Sequence, residues 1–423
     1  MFRMSNWGLK VVLPVWLLVS GVQVFGWLEP GELILLDRMF QWHPQSQNDE
    51  RIVIVGVTES DIRQLDHYPI SDRILAQLLN QILAANPVVV GLDLFRDVPV
   101  SYGEDEGSRL VGAGLTDNVI DKSDNVTKPA LVGPKALEDI FRTSDNLIGV
   151  GKFTGVPGDD FFTRIAPPDI LAQKQQVADI STIVDPDGVV RRGNLYPIAD
   201  GSPESEIPSL ALKLAYRYLS TLGIEPETRQ QGWLGLGDAV FPPFEENDGG
   251  YVNADDRGYQ ILIDWRQFPE GGFDQVSVME VLTGKVSPER FRGKVVLIGA
   301  YAPSLQDSFY TPFSKYQGTT PKPMFGVEIQ ALLTSQIIGA ALGEDGGIRV
   351  VAEPLEYLWV LLWVSLEFLW IGFWRHRGRY PGFILFVALI GGVCLSGVLA
   401  GVTYTAFLGN VWIPSGAALL GIG

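Results

Sequence analysis

A chain of 423 residues is long enough for two or three compact units, and its 46 % apolar content and slightly positive mean hydropathy are high for a wholly soluble protein. A formal net charge of −17 excludes nucleic acid as a partner, because that partner demands a positive footprint. The single cysteine, Cys394, excludes an internal disulfide and a thiolate metal site, and His43, His67 and His376 are too scattered for a zinc motif.

Charge and hydropathy divide the chain. Residues 1–10 carry Arg3 and Lys10 and precede an apolar run at 11–27, a short first transmembrane helix against the roughly 20 residues a bilayer core takes. A cleaved signal peptide is the alternative, since Val24-Phe25-Gly26 offers a small-residue site. An uncleaved anchor is preferred, with a helix continuing through 31–42 (GELILLDRMFQW) as a stalk. Residues 28–352 then hold 27 basic and 46 acidic residues, a net of −19; the other five basic and three acidic residues lie in the apolar ends. Such a domain is repelled by anionic lipid and favours a cationic or neutral partner, or a divalent ion.

Within 28–352, apolar strands alternate with amphipathic helices. The run 51–57 (RIVIVGV) reads as a buried strand. Ser71 caps a helix whose apolar face is Ile74, Leu75, Leu78, Leu79, Ile82 and Leu83, and Pro87 resets the chain into a strand at 88–94. That is a βαβ unit, with parallel strands and a right-handed crossover. Residues 99–145 break the pattern and read as a long, Gly- and Asp-rich surface excursion, flexible and partly disordered. Further strands are expected at 147–153, 177–184, 191–198, 259–265 and 294–298, with a tight hairpin turn at Asp185-Pro186-Asp187-Gly188. Helices are expected at 209–219, 277–282 and 327–338. The fold class is α/β, with a mixed, mainly parallel sheet flanked by helices, plus transmembrane helices at both ends.

Beyond the domain, a second span occupies 355–374, a loop at 375–380 carries Arg375, Arg377 and Arg379, and a third span occupies 381–402. The positive-inside rule places that loop and the N-terminus in the cytoplasm, and 28–352 outside. The apolar run 407–423 reads as the start of a fourth span, apparently truncated. Glu367, inside the second span, faces a neighbouring helix or reaches the interface.

Acids and small residues gather where open α/β sheets keep their sites, just past or late in strands. Glu59 follows the first strand, Asp93 sits late in the second, and Asp307 and Thr311 follow the Gly299-Ala300 break in FRGKVVLIGAYAPSLQDSFYTPF. Brought together, Glu59, Asp93 and Asp307 would bind a divalent cation or the ammonium of a ligand. Taken singly, Asp93 serves equally well as a helix cap or an acceptor for loop N–H groups, and Asp307 as the anchor of its own turn. Catalytic motifs are absent: there is no G-x-S-x-G elbow, no phosphate loop, no H-E-x-x-H and no Cys/His pair. GVGKFTG lacks the upstream glycine of a phosphate loop, and Arg191 and Arg192, on opposite faces of a strand, would not share a site. No catalytic residue and no cofactor is expected. Trp233 and Trp265, if exposed, would suit a protein- or cell-wall-binding module, and the acids an extracytoplasmic metal-dependent hydrolase; both readings stay behind that of a receptor.

The ordered series VGVTESDI, YPISDRILAQLL, VVVGLDLFRDVPV, NLIGVGKF, DPDGVVRRGNLYP, SLALKLAYRYL, FPPFEENDGGYVNADDRGYQILIDWR and FRGKVVLIGAYAPSLQDSFYTPF, continued by FGVEIQALLTSQII, resembles the type 2 CHASE domain over about 34–342. The name stands for cyclase/histidine-kinase-associated sensory extracellular. Thr58 departs from the pattern where an aspartate is expected, and 99–145 is enlarged. The resemblance implies a bacterial inner-membrane sensor with one span before the domain and three after it. It also implies a cytoplasmic kinase or cyclase output, in cis or in trans. Receptors of this design are often homodimers. The family's ligand is unknown, so the resemblance carries over no binding residue; the candidate site for a small molecule or ion, Glu59, Asp93, Gly299, Ala300, Asp307 and Thr311, rests on position relative to the strands alone.

Overall fold

A computed structural model describes residues 6–102, 133–154, 163–197, 206–268, 272–314, 322–344, 347–375 and 380–422. The chain forms two compact units. One comprises 45–242 and 257–346; the other gathers 1–44, 243–256 and 347–423.

The first unit is the α/β domain. Its strands run in chain order as β1 (Ile52–Val57), β2 (Val89–Asp93), β3 (Leu147–Thr154), β4 (Thr163–Ile165), β5 (Val177–Asp179) and β6 (Arg192–Tyr196). A small meander follows, β7 (Pro226–Thr228), β8 (Leu234–Leu236) and β9 (Ala239–Phe241), then β10 (Tyr259–Leu262), β11 (Asp274–Ser277) and β12 (Val295–Ala300). The main sheet has the order β11-β1-β12-β2-β3, all parallel, and β3 also carries β5 in parallel and β4 antiparallel. The βαβ pair expected from sequence is therefore parallel, but β12 is inserted between its strands.

Helices cover both faces, which is why β1 and β12 are apolar at every position rather than at alternate ones. Val53, Val55, Val57, Val90, Leu92, Val296 and Ile298 share a core with the helices Asp72–Leu83, Gly133–Thr143 and Val278–Leu282. Each fully buried leucine there, Leu75 and Leu79 among them, contributes about 1.5–3 kcal/mol. The opposite face is shaped by glycine. A Cβ at Gly91 would lie 3.0 Å from a Leu214 methyl of the helix Leu210–Ser220, and one at Gly299 would lie 2.7 Å from the Val327 Cβ of the helix Gly326–Ala341. The missing side chains let both helices lie close against the sheet.

Caps fix the helix starts. Ser71, Ser209 and Ser277 each accept a backbone N–H of the first turn, as their sequence positions suggest. Thr58 caps the helix Glu59–Leu65 through a reciprocal pair: Asp61 N–H donates to its hydroxyl and its own N–H donates to the Asp61 carboxylate. Thr58 thus has a local structural task as a helix cap.

Several expectations change. A helix, Gly133–Thr143, occupies the end of the 99–145 excursion, whose residues 103–132 lie outside the described ones. The strand expected at 177–184 stops at Asp179, where the carboxylate accepts the Ser181 N–H and hydroxyl and turns the chain away. Strand β6 ends before Pro197, which has no N–H to pair, and residue 198 is not described. The 185–188 turn is real, with Gly188 N–H donating to the Asp185 carbonyl, but it closes no hairpin, because β6 pairs with β10. Arg191 precedes β6, so strand alternation does not separate it from Arg192. Arg191 Nη1 and Arg192 Nη2 meet the two oxygens of Asp185 at 2.9 and 2.8 Å, Arg191 Nη2 reaches Asp187 at 2.8 Å, and Arg192 Nη1 donates to Gln260. Trp265 is fully buried and Trp233 partly so, which removes the former from any exposed binding surface.

In the second unit, a helix at Asn6–Val24 breaks at Gly26, whose φ of +73° suits glycine, and the helix Glu29–Trp42 leaves at 80° to it. The expected stalk is a separate helix rather than a straight continuation. Glu353–Arg375 and 382–408 are long and apolar enough to cross a membrane, and the bent pair makes up to three spans if counted as one. The helix Pro381–Leu408 takes in the start of the 407–423 run, the rest of which forms a short strand, Val411–Trp412, and a helix, Gly416–Ile422. Val19, Val360, Val364 and Ala417 form one small core, and the Glu32 carboxylate accepts the Ser415 and Gly416 N–H groups at the start of the last helix. Glu367 is buried in its helix, and the arginine-bearing loop is not described beyond Arg375 and Tyr380.

Candidate functional site

The parallel strands β2, β3 and β12 deliver their C-terminal ends to one edge of the sheet, where open α/β folds bind ligands. A cleft of about 380 Å³ opens there, within the size range of small-molecule sites. Its polar lining is Tyr68, Asp93, Lys152, Thr182, Gln306, Asp307 and Gln330.

Asp93 is the last residue of β2, opposite Gly299 in register, and is only 8 % exposed. Among the described residues none hydrogen-bonds its carboxyl. Burial, and next the charge of Asp307, push it up to about 8. Asp307 follows a left-handed residue, Gln306, that ends a single 3₁₀ turn after β12. A Cβ at Gly326 would lie 2.9 Å from either Asp307 carboxylate oxygen, so the absent side chain admits the carboxylate beside the first turn of the helix Gly326–Ala341. Burial raises Asp307 as well, and the Lys152 charge opposes that shift.

Lys152 comes from β3, and among the described residues it forms no ion pair. Gln330 comes from the helix Gly326–Ala341; it is 7 % exposed, and its Oε1 has no hydrogen-bond partner among the described residues. A buried amide oxygen without a donor costs about 1–3 kcal/mol, so its persistence beside an open cleft is informative. Tyr68 also lines the cleft, raised by burial and by Asp307 and Asp93 against the opposing charge of Arg96. Arg96 is held by the Ile70 and Phe95 carbonyls and by Asp72.

The residues singled out from sequence fare differently. Asp93, Ala300 and Asp307 line the cleft together. Gly299 lies beneath it, with its absent Cβ 3.3 Å from Asp93 Cβ. Glu59 is not in the lining; its carboxylate accepts the Ser304 N–H at 2.7 Å and so ties the loop after β1 to the loop after β12. Thr311 is buried and occupied with Ser314. Glu59, Asp93 and Asp307 therefore do not converge as one metal-binding set, and the described residues contain no group of three or more His, Cys, Asp or Glu able to hold a metal ion. Lys152, Thr182, Tyr68 and Gln330 were not foreseen. For Gln330 the signal was a lone amide in the apolar run VEIQALLTSQII; for Lys152 it was a charge late in a buried strand.

No histidine and no cysteine lines the cleft. Its polar groups are the carboxyls of Asp93 and Asp307, the amides of Gln306 and Gln330, the Lys152 ammonium and the hydroxyls of Tyr68 and Thr182. Comparison with protein families matches residues 14–369 to the CHASE2 domain. Comparisons with curated proteins and with solved structures find no match. The match takes in the whole α/β domain and most of the chain, so the protein belongs to the CHASE2 domain family, a family of sensory extracellular domains.

Proposed function

We propose that this chain is the input part of a transmembrane signalling system, with the α/β domain outside the cell membrane and the cleft at the sheet edge as its ligand site. The observation that carries the reading is the pair Asp93 and Gln330, both more than nine-tenths buried, both without a partner among the described residues, and both lining an open cleft. Family membership supports a sensory rather than a catalytic use of that cleft. The apolar helices and the arginines at 375–379 support a multi-pass arrangement with the N-terminus and that loop in the cytoplasm.

Gln330 lies on the helix Gly326–Ala341, and Asp307 lies against its first residue. A ligand held by both favours one placement of that helix, and the chain continues from it into the helix Glu353–Arg375. A kinase or cyclase, in the same polypeptide or as a partner, would read the shift, and a homodimer is the natural assembly.

The test is a thermal-shift screen of a metabolite library on the full chain in nanodiscs, repeated on Asp307→Ala. A compound that stabilises the parent and not the variant supports the site. Stabilisation retained in full by Asp307→Ala for every active compound removes the cleft from ligand sensing.

A further inference from the structure

Two carboxyls of the cleft, Asp93 and Asp307, have no hydrogen-bond donor among the described residues, and Lys152 in the same lining forms no ion pair among them; these groups define the ligand. Resting on the sensory reading above, we propose that the cleft recognises a small zwitterion, an amino acid. Its ammonium is taken by Asp93, Asp307 and Gln330 Oε1, and its carboxylate by Lys152.

Three features carry the assignment. First, Gln330 Oε1 on the helix is a buried acceptor without a donor among the described residues, and none of them hydrogen-bonds the Asp93 or Asp307 carboxyl in the same lining. Three acceptors without a donor match an ammonium, which has three N–H groups and no acceptor. Second, Asp307 is close enough to Asp93 for its charge to be felt there, and a cation between them removes the repulsion. Third, Lys152 lines the same cleft and its charge acts on Asp307. A lysine in the lining disfavours a divalent metal, which also wants six or more oxygens if it is calcium. It suits a ligand that carries a carboxylate a few ångströms from its ammonium. The volume of about 380 Å³ admits such a molecule with room for ordered water.

The groups that act on Asp93 set the pH response. Asp307 from the loop after β12 acts on Asp93 directly, Lys152 from β3 acts on Asp307, and Tyr68 of the lining is itself acted on by Arg96, Asp307 and Asp93; β12 offers only Gly299 and Ala300. Ammonium binds the ionised carboxylate, so affinity rises with pH through about 8 as Asp93 loses its proton.

The experiment is calorimetric titration of the full chain in detergent with glycine, L-alanine, L-serine and γ-aminobutyrate. Propionate, propylamine, glycerol and calcium chloride are the comparison compounds. The expected result is binding by at least one amino acid, stronger at pH 8.5 than at pH 6.5. It is weakened at least about tenfold by Asp93→Asn. Lys152→Met should weaken the amino acid while leaving propylamine unchanged. Asp93→Asn should be at least as heat-stable as the parent, so lost binding is not lost folding; Gln330→Met serves as a second variant. The proposal is overturned if no amino acid binds at millimolar concentration, if calcium or glycerol binds instead, or if Asp93→Asn binds as the parent does. In each of those cases a library compound whose stabilisation still depends on Asp307 would leave the sensory reading standing.

Discussion

Two groups of polar side chains are buried in the same α/β domain, and they are built on opposite rules. At Asp185, Asp187, Arg191 and Arg192, each charge meets an opposite one at 2.8 to 2.9 Å, and Gln260 takes a further donor. At the sheet edge, Asp93 and Gln330 are buried to a similar degree and are met by no described group. A satisfied network rigidifies a fold, whereas unsatisfied groups beside an opening hold it ready for something else. The contrast separates residues that keep this domain folded from those that give it a task.

The first way to break the comparison is to remove a partner from the satisfied group. Asp185→Ala leaves two buried guanidinium groups without their shared carboxylate and should cost about 3–5 kcal/mol, read as a lower urea midpoint. A loss below about 1 kcal/mol would mean that the network is no more structural than the cleft.

The second concerns the cleft. The Asp93 carboxyl titrates near 8 in the folded domain and near 4 in the unfolded chain. Between those values the folded state holds the extra proton, so stability falls as pH rises from about 4 to about 8 and levels off above. Asp93→Asn removes that slope. The melting temperature of the variant relative to the parent should therefore rise steadily across this window. A constant offset would show that Asp93 is not held protonated by its surroundings.

The smallest effect is expected at the surface. Arg290 pairs with Asp274 but is 42 % exposed, and Arg290→Ala should cost less than about 1 kcal/mol. A larger loss would show that ion pairing as such, rather than its burial, sets the scale in this domain.

Much of the α/β scaffold was legible because its signals are local. Apolar runs without alternation marked β1 and β12, and serines at 71, 209 and 277 marked helix starts. Strand 177–184 was read too long because an aspartate that ends pairing looks like any polar residue in a run. The arginine pair was misjudged because alternation was applied to Arg191, which lies one residue outside β6.

The candidate site was half legible. Asp93, Ala300 and Asp307 stood out by their position after strands, and the cleft does contain them. Glu59 had the same signal, yet its carboxylate accepts the Ser304 N–H and is not in the lining.

The sequence by itself determined the main sheet strands, several helix starts, the apolar helices and the family, since each follows from neighbours in the chain or from an ordered series of motifs. Only the tertiary structure decided which of those elements meet. Insertion of β12 between β1 and β2 puts Gly299 opposite Asp93 and leaves no side chain between that aspartate and the helix Gly326–Ala341. Residues 93, 152, 307 and 330 share a cleft because the sheet order is non-sequential, and strand order is set by long-range packing that no local pattern encodes.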